Sequence, residues 1–140
     1  MKVTELLRES VGGKVDLLDA LEKFLPFIKS ELDLPSLPKI SLVDKVPEDD
    51  QPTFGRYSTE DSSIILAVLN RHPIDILRTF AHELVHYKQD IENRLDPHSG
   101  DTGSNEENEA NGQAGIIMRN FAKDHPQFFS IDKIYIVRSK

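Results

Sequence analysis

The segment from Pro73 to about Ile91 constrains the fold of this chain more than any other, because its apolar residues recur at the spacing of an α-helix. Pro73 suits a first helical turn, and Asp75 places negative charge near the helix N-terminus. At about 100° per residue the apolar side chains gather on one side of the helix, namely Leu77, Phe80, Ala81, Leu84, Val85 and Ile91. Asp75, Thr79, His82 and His86 share another side. We therefore expect a helix that buries one face and carries two histidines beside it.

The residues before this helix predict a further helix and a small sheet. Between Asp16 and Leu32 the apolar residues follow helical spacing, and a kink or break is expected at Pro26. Prolines punctuate the next stretch and leave short extended segments, at Lys39–Val43, Thr53–Tyr57 and Ser63–Leu69. We expect these segments to form a sheet of roughly three strands.

The residues after the helix predict a loop and another helix. Asn93–Ser104 is rich in Asp, Pro, Gly and Ser and is predicted to be the loop. The helix is predicted from about Asn105 to Lys123, and Ile131–Val137 is a candidate final strand. A chain of 140 residues fits one compact domain. The order of these elements predicts a single α+β domain across residues 1–140.

The composition restricts the kinds of site that the chain can carry. Acidic residues outnumber basic residues by 24 to 17, and the net charge of −7 argues against a surface that binds nucleic acid. There is no cysteine, so a zinc site has to use histidine and carboxylate ligands. The longest apolar run, Ile64–Leu69, is too short to cross a membrane, and the first residues lack the apolar core of a signal peptide. We expect synthesis in the cytoplasm and no membrane partner.

The most informative short motif is His-Glu-Leu-Val-His, formed by residues 82–86. Residues four apart on a helix project from the same face, so His82 and His86 can bind one metal ion. A glutamate beside a metal-bound water can take its proton during attack on a carbonyl and return it to the leaving amine. We interpret His82 and His86 as zinc ligands and Glu83 as the general base. The motif alone also arises by chance in proteins that bind no metal.

A catalytic zinc site needs a third protein ligand and one open position. The predicted third helix offers Glu106, Glu107 and Glu109. Its apolar face is set by Ala110, Ala114, Ile117, Met118 and Phe121. Counted from Ala114 at about 100° per residue, Glu107 is displaced by roughly 20°, Glu106 by roughly 80° and Glu109 by roughly 140°. A carboxylate on an apolar stripe is costly to bury unless it is paired or bound to metal, so Glu107 is the preferred third ligand. The alternative is an acid at a frayed helix end, favoured there by the helix dipole.

Further polar residues have candidate roles around this site. Asn111 follows Glu107 by one helical turn and is predicted to hydrogen-bond a ligand histidine and fix its ring orientation. His98 in the loop and Tyr57 on the presumed edge strand are candidates to stabilise an oxyanion or to contact substrate. For both residues the alternative is an ordinary surface position.

The two predicted metal-binding helices resemble those of the gluzincin metallopeptidases, in which two histidines of one helix and a glutamate of a later helix bind zinc. The likeness covers roughly Asp75 to Phe121. Thermolysin-like members have an aspartate four residues after the third ligand, where this chain has Asn111. The sequence Glu-Asn-Glu-Ala-Asn at 107–111, with Arg-Thr-Phe-Ala-His-Glu at 78–83, looks more like the ImmA/IrrE family and like small phage-encoded proteins with the same pairing.

The resemblance implies a minimal zincin fold, with an N-terminal helix, a small sheet whose edge strand borders the cleft, and two metal-binding helices. It implies a zinc-dependent metallopeptidase that acts on a peptide or protein substrate. Members of the ImmA/IrrE family often cleave a repressor and carry or accompany a helix-turn-helix, of which the sequence gives no obvious sign. If phage-encoded, the protein would act in the host cytoplasm or in the virion.

A non-catalytic protein is the main alternative to an enzyme. A structural or regulatory protein, for example a virion or assembly component, could retain zinc for stability or recognition. Glu83 favours the enzyme, because a purely structural site has no need of a general base. A metal-free regulatory domain is a further alternative, in which the acidic residues only keep the helices soluble.

Overall fold

The computed structural model describes residues 16–47 and 53–129 of the chain. The elements follow in the order α1 (Leu17–Glu31), β1 (Lys39–Val43), β2 (Gly55–Ser58), β3 (Ser63–Ala67), α2 (Pro73–Ile91) and α3 (Asn105–Asp124), with a short 3₁₀ helix at Pro126–Phe129. The predicted α+β class is confirmed. The candidate strand Ile131–Val137 lies outside the described residues. No helix in the described ranges is long and apolar enough to cross a membrane.

The sheet is mixed, with β3 between the other two strands. β1 runs parallel to β3 and β2 runs antiparallel to it, so that Ile40 and Tyr57 flank Ile64. Three predicted strand limits are wrong, because the second strand begins at Gly55 and ends at Ser58, and the third ends at Ala67. The Thr53 hydroxyl donates to the carbonyl of Gly55 at 2.9 Å, and the chain turns after β3 at Asn70, where φ is 59°. β2 is thus a strand of four residues at one edge of the sheet.

Helix α1 covers one side of the core. Asp16 caps it by accepting a hydrogen bond from the Leu18 backbone at 2.9 Å. Its buried side chains recur every three or four residues, at Leu17, Ala20, Phe24 and Ile28. The break considered at Pro26 does not occur, because α1 runs through that residue. Pro26 is exposed, so water can hydrate the carbonyl group that the proline leaves without an amide partner.

Helix α2 is the central element of the fold. It contacts α1, α3 and the strands β2 and β3. Phe80 of α2 meets Phe24 of α1 with ring centroids 6.0 Å apart, and Phe121 of α3 meets Phe24 edge-on at 5.0 Å. The prediction that Ile91 lies on the apolar side is wrong, since it is 43% exposed. The last turn of α2 packs on α3 through the fully buried Gln89 instead.

Gly55 allows the edge strand to lie directly against α2. A Cβ atom at this position would lie 2.5 Å from Cγ2 of Thr79 and 3.4 Å from Cγ of Glu83. Thr79 cannot rotate freely, because its hydroxyl donates to the Asp75 carbonyl at 3.0 Å and accepts from Arg71 at 2.7 Å. The absence of a side chain at Gly55 therefore sets the distance between β2 and the residues of the motif.

Replacement of Gly55 by alanine is expected to lower the free energy of unfolding by about 1–3 kcal/mol, because the new methyl group overlaps Thr79. Urea denaturation measures the change. Gly112→Ala on α3 is the control, since a Cβ there meets nothing within 4 Å. The control is expected to raise stability by about 0.5–1 kcal/mol, the usual gain for alanine in a helix. Similar effects of the two substitutions would contradict a close approach at Gly55.

Candidate metal centre

His82, His86 and Glu107 converge at the surface between α2 and α3, and their ligand atoms all lie within 4.8 Å of one another. Nε2 of His82 is 2.8 Å from Oε1 of Glu107, and Nε2 of His86 is 3.0 Å from Oε2. The two Nε2 atoms are 3.2 Å apart. Tetrahedral zinc with bonds of about 2.0–2.1 Å places its ligand atoms about 3.3 Å apart. The three side chains therefore have nearly the separation that one zinc ion requires.

Local sequence explains how these side chains meet. His82 and His86 are one turn apart on α2, so their imidazoles project from the same face, with ring centroids 4.8 Å apart. Glu107 lies in the first turn of α3, which Ser104 caps by accepting the Glu107 backbone N–H at 3.0 Å. The cap fixes where α3 begins, and with it the direction of the Glu107 carboxylate.

Gln89 contacts His86 at Nδ1, the ring nitrogen that does not face Glu107. This residue was not identified from the sequence. Its side chain is fully buried and its Oε1 lies 2.8 Å from Nδ1 of His86. Its Nε2 donates to the backbone carbonyl of Glu106 at 3.0 Å and to Oε1 of Glu109 at 2.7 Å. The available signal was the position of Gln89, one turn after Val85 on the apolar side of α2, where an amide needs buried partners.

The position of the proton on the His86 ring bears on whether a cation fits between the side chains of the cluster. The Gln89 oxygen can only accept, so Nδ1 of His86 carries a proton. In the neutral ring, Nε2 then presents a lone pair to the Glu107 carboxylate at 3.0 Å. Facing lone pairs repel unless positive charge lies between them. A proton can remove the repulsion between one pair of these atoms. A single divalent cation can bind the lone pairs of all three side chains at once, so the residues fit a metal ion.

The three side chains of the cluster are mostly buried but keep some exposed surface. The side chains of His82, His86 and Glu107 are 19%, 12% and 23% exposed. Burial lowers the pKa of His82, although the nearby Glu107 carboxylate acts in the opposite direction. The neutral ring is the form that binds metal. The partial exposure leaves room for water or a substrate group beside the ligand atoms.

Glu83 lies beside the cluster in an environment suited to proton transfer. Burial raises the pKa of Glu83 to about 7, and the Glu107 carboxylate adds to the increase, while His86, the Tyr57 backbone N–H and Arg56 oppose it. A carboxyl group with a pKa near neutrality can both accept and release a proton. His82 and Glu83 line both halves of the surrounding cleft.

The cleft has two halves on either side of these residues. The larger cavity, of about 580 Å³, is bordered by β2, by the loop before α3 and by Glu107. The smaller cavity, of about 290 Å³, is bordered by Phe54, Arg78, Asn111 and Gly115. Sites for small ligands commonly have volumes of roughly 300–1,000 Å³. Both cavities are bordered by Thr53, by Gly55 of the edge strand and by His82 and Glu83 of α2.

The other glutamates of α3 face elsewhere. Glu109 accepts hydrogen bonds from Gln89 at 2.7 Å and from Arg94 at 2.8 Å. Neither Glu106 nor Glu109 belongs to the cluster found among the described residues. Glu107 is thus the glutamate of α3 that lies with the two histidines among the described residues, and its role as a metal ligand stays a prediction.

The remaining predicted residues have partners of their own. Asn111 lies beside His82 in the smaller cavity and acts to raise the pKa of that histidine, and its role in fixing the ring orientation stays a prediction. The Tyr57 hydroxyl donates to Asp90 at 2.6 Å, and burial, followed by this bond, raises the Tyr57 pKa to about 12. The His98 side chain is 87% exposed and lies 3.2 Å from Asp101. The roles of Tyr57 and His98 in contacting substrate or an oxyanion stay predictions, and each would require giving up the present contact.

No protein-family model matches the chain, and searches of curated proteins and of solved structures also found no match. A function therefore has to be inferred from the residues of the cleft.

Zinc content of the purified protein tests the proposed ligands without a substrate. We expect the native chain and Glu83→Gln to hold one zinc ion after dialysis, and His82→Ala and Glu107→Gln to lose it, because each removes one of three ligands. Glu106→Gln is the control, since this neighbour of Glu107 lies outside the cluster. Elemental analysis gives the stoichiometry. Retention of zinc by Glu107→Gln would contradict the third ligand.

Proposed function

We propose that this protein is a zinc-dependent metallopeptidase with a minimal zincin fold. The observation that carries the proposal is the convergence of His82, His86 and Glu107 within 4.8 Å, in an open cleft that Glu83 also lines. Two neutral nitrogens and one carboxylate are a donor set found in catalytic zinc sites. A buried glutamate beside such a set has a use in hydrolysis that it lacks in a structural site.

The chain's own residues supply binding, orientation and proton transfer. His82, His86 and Glu107 would hold the ion, and bound zinc would acidify water and polarise the carbonyl of the peptide bond. Glu83 takes a proton from the attacking water on its carboxylate and delivers it to the nitrogen of the leaving amine. The Tyr57 backbone N–H acts to lower the pKa of Glu83 and so favours its charged form, which is the form that accepts the proton.

The edge strand β2 provides a surface for an extended peptide. It pairs with β3 along one side only within the described residues, and its residues line the cleft next to His82 and Glu83. An added strand can bind such an edge through main-chain hydrogen bonds, with side chains entering pockets alternately. The contact at Gly55 brings this edge within reach of the cluster. We propose that substrate lies along β2, with its scissile bond facing Glu83.

Glu83→Gln is expected to lower peptide hydrolysis by about 10²–10⁴-fold, because the amide cannot accept the proton. The assay incubates zinc-loaded protein with a peptide mixture from a digested, denatured protein and follows new cleavages by mass spectrometry. Glu106→Gln serves as the matched control and should cleave as the native chain does. Chelation should abolish cleavage and added zinc should restore it.

Two outcomes would count against the enzyme. Native protein that holds zinc but cleaves nothing would favour the non-catalytic structural or regulatory alternative. Cleavage that survives unchanged in Glu83→Gln at equal zinc content would remove Glu83 from the mechanism.

A further inference from the structure

Gln89 connects the proposed metal ligands to the packing between α2 and α3. Its side chain has no exposed surface, and each of its polar atoms has a partner. One end contacts His86 on its own helix, and the other end donates to the backbone carbonyl of Glu106 and to Glu109. Glu106 is the residue before Glu107. A single amide therefore touches one proposed ligand and the backbone beside another.

The orientation of the Gln89 amide is fixed by chemistry. A carbonyl and a carboxylate oxygen both lie at hydrogen-bond distance from one end of the amide, at 3.0 and 2.7 Å. Both groups only accept, so this end must be the NH₂ group and the oxygen must face His86. If the amide were reversed, its oxygen would meet two acceptors in a buried space, which is strongly unfavourable. Nδ1 of His86 is therefore always opposite an acceptor.

Glu109 extends these contacts to the surface. Its Oε1 receives both Gln89 at 2.7 Å and Arg94 at 2.8 Å. Arg94 also pairs with Glu92 at 3.1 Å, and its side chain is 41% exposed. Hydrogen bonds thus run from Arg94 through Glu109 and Gln89 to His86, on the side of the imidazole away from the cleft.

We propose that Gln89 is a positioning residue, oriented by Glu109, that keeps the proton of His86 on Nδ1 and leaves Nε2 facing the cleft. The same amide ties the first turn of α3, and with it Glu107, to α2. The proposal deepens the proposed function and rests on it for the use of the site, but the position of the His86 proton can be tested in protein without metal. Ligand histidines commonly depend on such a partner, whose loss weakens metal binding by about 10- to 100-fold.

The test compares Gln89→Leu with the native chain and with Gln113→Leu, an exposed glutamine on α3. Nitrogen-15 NMR of the histidine rings in metal-free protein identifies the nitrogen that carries the proton. Competition with a chromophoric chelator measures zinc affinity, and thermal unfolding checks the fold. We expect a protected Nδ1–H signal from His86 in the native and Gln113→Leu proteins. In Gln89→Leu we expect that protection to be lost and zinc affinity to fall by about 10- to 100-fold.

Two substitutions of Glu109 separate positioning from packing, because both leave the buried Gln89 side chain in place. Glu109→Gln keeps an oxygen that can accept from Gln89, whereas Glu109→Leu removes it. We expect Glu109→Gln to keep the Nδ1–H signal and the native zinc affinity, and Glu109→Leu to weaken both, whereas a packing role of Gln89 alone gives no reason for the two variants to differ. The pair also keeps the test open if Gln89→Leu fails to fold.

The results that overturn the inference differ from those that overturn the proposed function. A folded Gln89→Leu protein with native zinc affinity and the native His86 signal would refute the positioning role. So would native protein whose His86 proton resides on Nε2 alone, or Glu109→Gln and Glu109→Leu proteins that fold but differ in neither readout. A third pattern would refute the metallopeptidase and leave the role of Gln89 standing. In it, the native protein binds no zinc but shows the protected Nδ1–H signal, and Gln89→Leu loses that signal.

Discussion

The packing of α3 across α2 is the contact on which the candidate site depends, because neither helix carries the whole cluster. On α3 the buried stripe of Ala110, Ala114, Ile117, Met118 and Phe121 faces the core. Fully burying a large apolar side chain stabilises a fold by about 1.5–3 kcal/mol. Gathering two imidazoles and a carboxylate away from water opposes folding. The apolar stripe offsets that cost, and so holds Glu107 against the histidines before any ion binds.

One face of helix α2 packs in the core and another borders the cleft. Gly55 lets strand β2 lie close to the face that borders the cleft. The buried face of α2 meets α1 and α3 through aromatic rings. Its polar face needs a strand close enough to bring main-chain groups beside Glu83, and a side chain at Gly55 would keep that strand away. The packing that buries one face of α2 therefore also positions the residues on its other face.

Much of this arrangement could be predicted from periodicity, and the failures show what periodicity lacks. Helical spacing predicted the three helices, and the angle from Ala114 selected Glu107 among three acids. These inferences needed only the geometry of one helix at a time. Gln89 was missed and Ile91 was wrongly assigned to the apolar side, because the burial of both depends on where α3 crosses the last turn of α2, which no single-helix pattern contains. The strand limits failed for a different reason, since local features outside the alternating pattern act there, namely the hydrogen bond of Thr53 and the turn at Asn70.

The charge of the cleft further constrains which ion would suit it. When both are ionised, the carboxylates of Glu83 and Glu107 bring two negative charges beside two imidazoles, and one divalent cation neutralises that charge. The overall charge of −7 adds a long-range attraction for cations without selecting among them. Selection comes from the donor atoms, because Mg²⁺ and Ca²⁺ prefer oxygen ligands while imidazole nitrogens suit zinc and other transition metals. In the role proposed for Gln89, an Nε2 lone pair of His86 faces the cleft, which would favour such metals over Mg²⁺ and Ca²⁺.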